Sequence, residues 1–435
     1  MEESSIKEKD NGNLLKILSP ALIIKIEIII ALAERFMMET LKMPRLIMGS
    51  IDLLNLFLVL CLLRNKEWKK YRELVISYLV ILVVSLVVGI INYEKWNGNI
   101  VYSCIEFRNI IRFPVFFIAC ATFLNHDDVK FIYKVLVIFF LVNSLVILYQ
   151  YFTYHPNIGS RGDHLNGLFG HESGGNAFVN VIMLVVLAYL LSSWRDKNVS
   201  TVFFFVAVGI SLLIAALIEL KAFFFEILLI YGWYFVSCKK SKKELLLNLI
   251  LIIGAVIVSA IGLSIMYKEY PGFKGYVSIE GLKDQLFGNG YTGKGDLNRF
   301  TGIFTIASDF FAYNISEILF GIGLGNACQS SIVGSATLFY NTYGESNYKL
   351  FLATHLFIQT GALGFILYLS TYVYLFFKKK ENLEFKLNTQ IMCLIAVLLV
   401  FYNDTFLTDA GYFIYFALAS GFVKKKDGIE NLGSI

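Results

Sequence analysis

Four cations and one histidine are the groups in this chain best placed by type and position to do chemistry. Arg108 and Lys221 lie inside apolar runs, and Arg161 and Arg299 lie in polar intervals between such runs. An arginine makes bidentate bonds to phosphate oxygens through its planar fork and keeps its charge. Charges inside lipid-spanning segments are expensive and mark cavities or substrate paths, and Asp52, Arg112 and Glu226 are further such positions. Converging near one membrane face, Arg108, Arg161, Lys221 and Arg299 would bind a lipid-linked phosphate. For each cation alone, snorkelling or plain solvation is the alternative. His355 is the candidate proton acceptor, with Gln359 one helical turn on and Gly361 and Gly364 admitting a neighbouring helix. A helix-packing histidine is the alternative there.

Other motifs carry less. His171-Glu172 lacks the HExxH spacing of a zinc site, and the six cysteines form no CxxC pair, so no metal is expected. Gly321-x-Gly323-x-Gly325 lacks the strand, helix and acidic partner of a dinucleotide site; it reads as turn glycines, with an anion-binding nest of N–H groups as the alternative. No cofactor is implied.

The elements that must position these residues are set by lipid. Of 435 residues, 57% are hydrophobic and 16% charged, and the mean hydropathy of +0.65 is too high for a soluble surface. The net charge of +5 sits in short clusters between apolar runs, as topology signals do, so nucleic acid is not an expected partner. Apolar runs fall near 14–33, 46–63, 74–91, 105–124, 129–152, 174–192, 199–218, 220–238, 245–267, 351–377, 388–405 and 409–423. In hydrocarbon each must be a helix, which predicts an all-α polytopic membrane protein of about twelve spans. Threading twelve spans puts the Lys and Arg clusters at 64–72, 195–197, 239–243, 378–380 and 424–426 on one side, hence cytoplasmic, with both termini inside. One domain, 1–435, is expected, with a large extracytoplasmic loop at 268–350. Within that loop, Asp296 or Asn298 can cap an amphipathic helix. Phe300, Ile303, Phe304, Ala307, Phe310 and Phe311 share its lipid face and Arg299 snorkels at the edge.

With these features the chain resembles the bacterial O-antigen polymerase and O-antigen ligase superfamily over essentially its whole length. Arg161 followed by Gly167-Leu168-Phe169-Gly170-His171 and Asn176 is similar to the family's pattern before the sixth span. Arg299 followed by Phe320-Gly321-Ile322-Gly323-Leu324-Gly325 resembles its loop pattern, and Gln359-Thr360-Gly361-Ala362-Leu363-Gly364 resembles its Glu-x-Gly-x-x-Gly. Two departures are Glu219-Leu220-Lys221, where the family often has Ser-x-x-Arg, and a His355 closer to the glycines than the ligase-type His-Asn.

The resemblance implies a metal-independent glycosyltransferase that polymerises undecaprenyl-diphosphate-linked oligosaccharides into a surface polysaccharide, O-antigen or capsule. It would act at the outer face of the bacterial cytoplasmic membrane, with a flippase and a chain-length regulator as partners. Arg161, Arg299, Lys221 and Arg108 are then the diphosphate cations, and His355 or Glu345 the base. A ligase passing glycan to a final acceptor is one alternative. A twelve-span transporter or lipid-linked oligosaccharide flippase is another, although the link from Arg64 to Arg72 lacks the Gly and Asp of major-facilitator carriers.

Overall fold

The computed structural model describes residues 19–43, 48–155, 161–172, 174–237, 296–330 and 334–424, with isolated residues between 253 and 288. The ninth apolar run, the lysine cluster at 239–243 and the first part of the long loop lie almost wholly outside the described residues. The other apolar runs are helices: α1 (Pro20–Glu39), α2 (Met48–Arg64), α3 (Arg72–Ile91), α4 (Ile100–Phe123), α5 (His126–Thr153), α6 (Asn176–Arg195), α7 (Thr201–Leu217), α8 (Lys221–Ser237), α9 (Leu352–Phe377), α10 (Lys386–Tyr402) and α11 (Gly411–Ser420). The described chain is thus mostly helical. Among the described residues, four helices are long and apolar enough to cross a membrane: Lys66–Ile91, His126–Thr153, Asn176–Arg195 and Leu352–Phe377.

Local chemistry starts several of them. Ser19 caps α1 ahead of Pro20, Asn99 caps α4 through the Tyr102 N–H, and Asn125 and Asp128 form a reciprocal capping box on α5. Packing then sorts the helices by exposure. Every residue of α11 is buried, against α4 and α10, as befits a helix apolar on all sides. Phe113 of α4 stacks on Tyr415 of α11, and Gly411 lets the Phe113 ring approach. The peripheral helices show apolar side chains outward instead, among them Leu53, Val83, Ile91 and Phe152. Lipid is the solvent such a surface fits.

The far end of the loop folds onto the helix ends, and its glycines are fitted to that contact. Gly323 at φ +84° would place a Cβ 2.0 Å from the Gly89 nitrogen of α3. The N–H groups of Ile322, Gly323 and Leu324 donate to the carbonyls of Ile358, Gln359 and Ser85. These donors are spent on helices, which removes the anion-nest alternative and supports turn glycines. Two of the accepting carbonyls are exposed by a break in α9 at Gly361 (φ 63°, ψ −171°), so the loop completes the hydrogen bonding of an interrupted helix.

The amphipathic helix expected after Asp296 is corrected. The chain there forms one α turn, Gly302–Thr305, running into a π turn, Ile306–Phe310, with Thr301 at the N-cap. Asp296 instead accepts from Asn347, and the Asn298 side chain bonds the Arg299 N–H and the Gly288 carbonyl. The π turn rotates the expected face apart, leaving Phe304 74% exposed and Phe311 buried. Arg299 is only 7% exposed and does not snorkel.

Candidate functional site

The half of α9 before its break carries His355 and Gln359 one turn apart, and α4 brings Glu106 against them. His355 Nε2 lies 3.0 Å from Glu106 Oε2 and 2.8 Å from Gln359 Nε2. Cys328 Sγ–H donates to Glu106 Oε1 at 3.1 Å, and Asn109 Nδ2 reaches Oε2 at 3.3 Å. His355 and Glu106 are each 4% exposed, and the Tyr348 ring runs parallel to the imidazole. Burial and the Glu106 charge push the Cys328 thiol well above its usual range, so it acts as a donor and not as a nucleophile. Glu106, Asn109, His355 and Gln359 line a small cavity of about 10 Å³, room for a single water, together with Leu352, Tyr368, Phe406 and Leu407.

The tautomer has a consequence. With Nε2 protonated towards Glu106, the Gln359 amide presents its oxygen there; with Nε2 as acceptor, the amide presents nitrogen. In the first state the lone pair sits on Nδ1, a buried atom with no protein hydrogen-bond partner. A hydroxyl brought to Nδ1 would lose its proton to an imidazole whose new charge Glu106 stabilises.

Two of the four expected cations, Arg299 and Lys221, lie within electrostatic reach of one another. Arg299 packs its guanidinium 4.3 Å from the Tyr402 ring centroid and 5.4 Å from that of Phe351, one turn before His355. Its Nε donates to the Tyr402 carbonyl at 3.2 Å. Lys221, at the start of α8, lies within electrostatic reach of Arg299, Glu219 and Asp163. Arg161 joins this corner through its neighbour Gly162, whose N–H donates to Glu219 Oε1 at 3.0 Å. Arg161 itself donates to the carbonyls of Tyr154 and Tyr151, closing the end of α5. Burial holds the Glu219 carboxyl above its usual range.

Arg108 stands apart. Its Nε pairs with Asp52 at 2.7 Å on the side facing α2. Glu345 is exposed on a 3₁₀ turn, Gly344–Ser346, and is not among the residues lining the cavity, where His355 and Glu106 are. Glu106 escaped the sequence reading although it is an acid inside an apolar run two residues before Arg108. The rule that singled out Arg108 and Arg112 applies to it equally. The motif around Gly167 serves packing: Gln150 and Asn143 of α5 accept the N–H groups of Gly167 and Leu168. Among the described residues no group of His, Cys, Asp and Glu is arranged to hold a metal ion.

No family model, curated protein or solved structure matches this chain.

Proposed function

We propose that this chain polymerises polyprenyl-diphosphate-linked oligosaccharide units into a surface polysaccharide at the outer face of the cytoplasmic membrane. The observation that carries this is the buried Glu106–His355 couple beside a small cavity, with Arg299 packed on the Phe351 ring, four residues before His355. An acceptor sugar hydroxyl gives its proton to His355 Nδ1 as its oxygen forms a bond to the anomeric carbon of the donor. The bond from that carbon to the diphosphate oxygen breaks, and its electron pair leaves with the polyprenyl diphosphate. Glu106 holds the imidazole in the accepting tautomer and then faces the imidazolium. Arg299 and Lys221 meet the charge that develops on the departing diphosphate. Arg161 fixes the loop that carries Gly162 and Asp163.

A transporter or flippase has one observation in its favour: α9 is interrupted beside buried polar side chains, an arrangement that lines substrate paths in carriers. Purified protein in vesicles with lipid-linked repeat unit on both faces decides between the two. Longer lipid-linked glycan is the expected product, and transbilayer movement of unaltered units without elongation would overturn polymerisation. In cells, loss of the gene should leave single units on the carrier. Long polymer stranded on the carrier would identify a ligase.

A further inference from the structure

A second concentration of buried charge lies where α1, α2, α4 and α11 meet, away from the residues assigned above. Arg112 pairs with Asp409 at 2.6 Å, the two side chains 3% and 6% exposed. At its edge Arg108 pairs with Asp52, 35% and 38% exposed. Those pairs leave two buried carboxyls on α1, Glu34 and Glu27, which are 3% and 0% exposed. Of the two cations of α1, Lys25 pairs with Asp128 of α5 and Arg35 is turned onto the Phe178 ring at 4.4 Å.

Glu34 and Asp409 are within hydrogen-bonding reach of one another. Carboxylate oxygens only accept, so two carboxyl groups bond to each other only when one carries a proton. A second observation is independent of that pair. Glu27 Oε1 accepts from Asn55 Nδ2 at 2.8 Å. Glu27 Oε2, Asn55 Oδ1 and Arg112 Nε are shut from solvent with no protein partner. Orphan acceptors and an orphan donor in one buried cluster are the set that a bound water carrying or passing a proton would satisfy.

We propose that Glu34 and Asp409 form a proton-binding pair, with the orphaned atoms of Glu27, Asn55 and Arg112 beside it and the Asp52–Arg108 pair at its exposed edge. Tyr412 and Cys120 face Glu27 from α11 and α4, Asp404 lies within reach of Arg35, and from α5 only the Asp128–Lys25 pair adds charge to α1. Arg112 also donates to the Leu407 carbonyl at 2.8 Å, and Leu407 lines the Glu106–His355 cavity. Loss of the shared proton sets two carboxylates against one guanidinium, and the change reaches that wall. The site does not depend on the polymerase assignment.

Infrared spectra of the full chain in lipid vesicles, stepped from about pH 5 to pH 9, test it. The wild type should show protonated-carboxyl absorption at neutral pH that shifts in heavy water. Both Glu34→Gln and Asp409→Asn should remove the intensity of one carboxyl, whereas Glu226→Gln, on a distant helix, should leave that component in place. Absence of the band in the wild type overturns the proposal without any variant having to fold. So does its persistence in Glu34→Gln, or its removal by sodium at fixed pH, which would assign the cluster to a metal cation.

Discussion

The Nε2 of His355 lies 3.0 Å from the Oε2 of Glu106, across 249 residues of sequence. Each is buried in an apolar helix layer, where an unpaired charge is costly, so the two are held as a couple. Gln359, Cys328 and Asn109 fix the orientation of both.

If that couple takes the acceptor proton, Glu106→Gln and His355→Ala should each lower polymer formation by about 10²–10⁴-fold. Glu106→Gln keeps the shape of the cavity and should leave protein yield unchanged. Elongation of purified lipid-linked repeat units in vesicles, normalised to folded protein, is the measurement. Normal elongation by Glu106→Gln would remove the couple from the mechanism.

Arg299 and Arg161 should separate in their effects. Losing a buried charge-assisted contact costs about 2–5 kcal/mol, so Arg299→Ala should reduce turnover by one to three orders of magnitude. Arg299→Lys should retain part of it, and Lys221→Arg should be tolerated. Arg161→Ala instead frees two carbonyls at the end of α5, with an expected loss of about 1–3 kcal/mol in stability and little in turnover per folded molecule. Thermal melting beside the vesicle assay distinguishes the two outcomes.

Gly323→Ala should damage the fold without touching the cavity. Its added Cβ meets the Gly89 backbone at a positive φ, and both the clash and the strained backbone cost stability, together about 2–4 kcal/mol. The melting temperature in detergent should fall, while Gly174→Ala, with open space around it but also a positive φ, should lose far less.

Glu219 contributes a pH dependence of definite sign. Its folded carboxyl is held above the ordinary 4.5, chiefly by burial. Stability from this group is therefore complete below the unfolded value and lost as pH rises through the folded one. Glu219→Gln should melt higher than wild type near pH 8, with the gap closing towards about pH 4. A constant gap across that range would mean that the carboxyl is not destabilised by burial.

The helical character and most of the described helix positions were legible in the sequence, because hydropathy acts over twenty residues at a time. His355 and Arg299 stood out by type, since an imidazole or a guanidinium beside apolar runs invites a chemical role. Which groups they meet was not legible. Glu345 is ten residues from His355 and points to solvent, while Glu106 is far away in the chain and touches it. The loop glycines were read as turn residues, yet only the docking of Gly323 on Gly89 and the break at Gly361 show why the turns lie there. Arg108 and Arg161, alike in type to Arg299, were drawn to Asp52 and to helix-end carbonyls. Periodicity and composition are local properties, whereas the partner of a buried charge is chosen by which helices pack together, since each must find a counter-charge or hydrogen bond wherever the fold offers one.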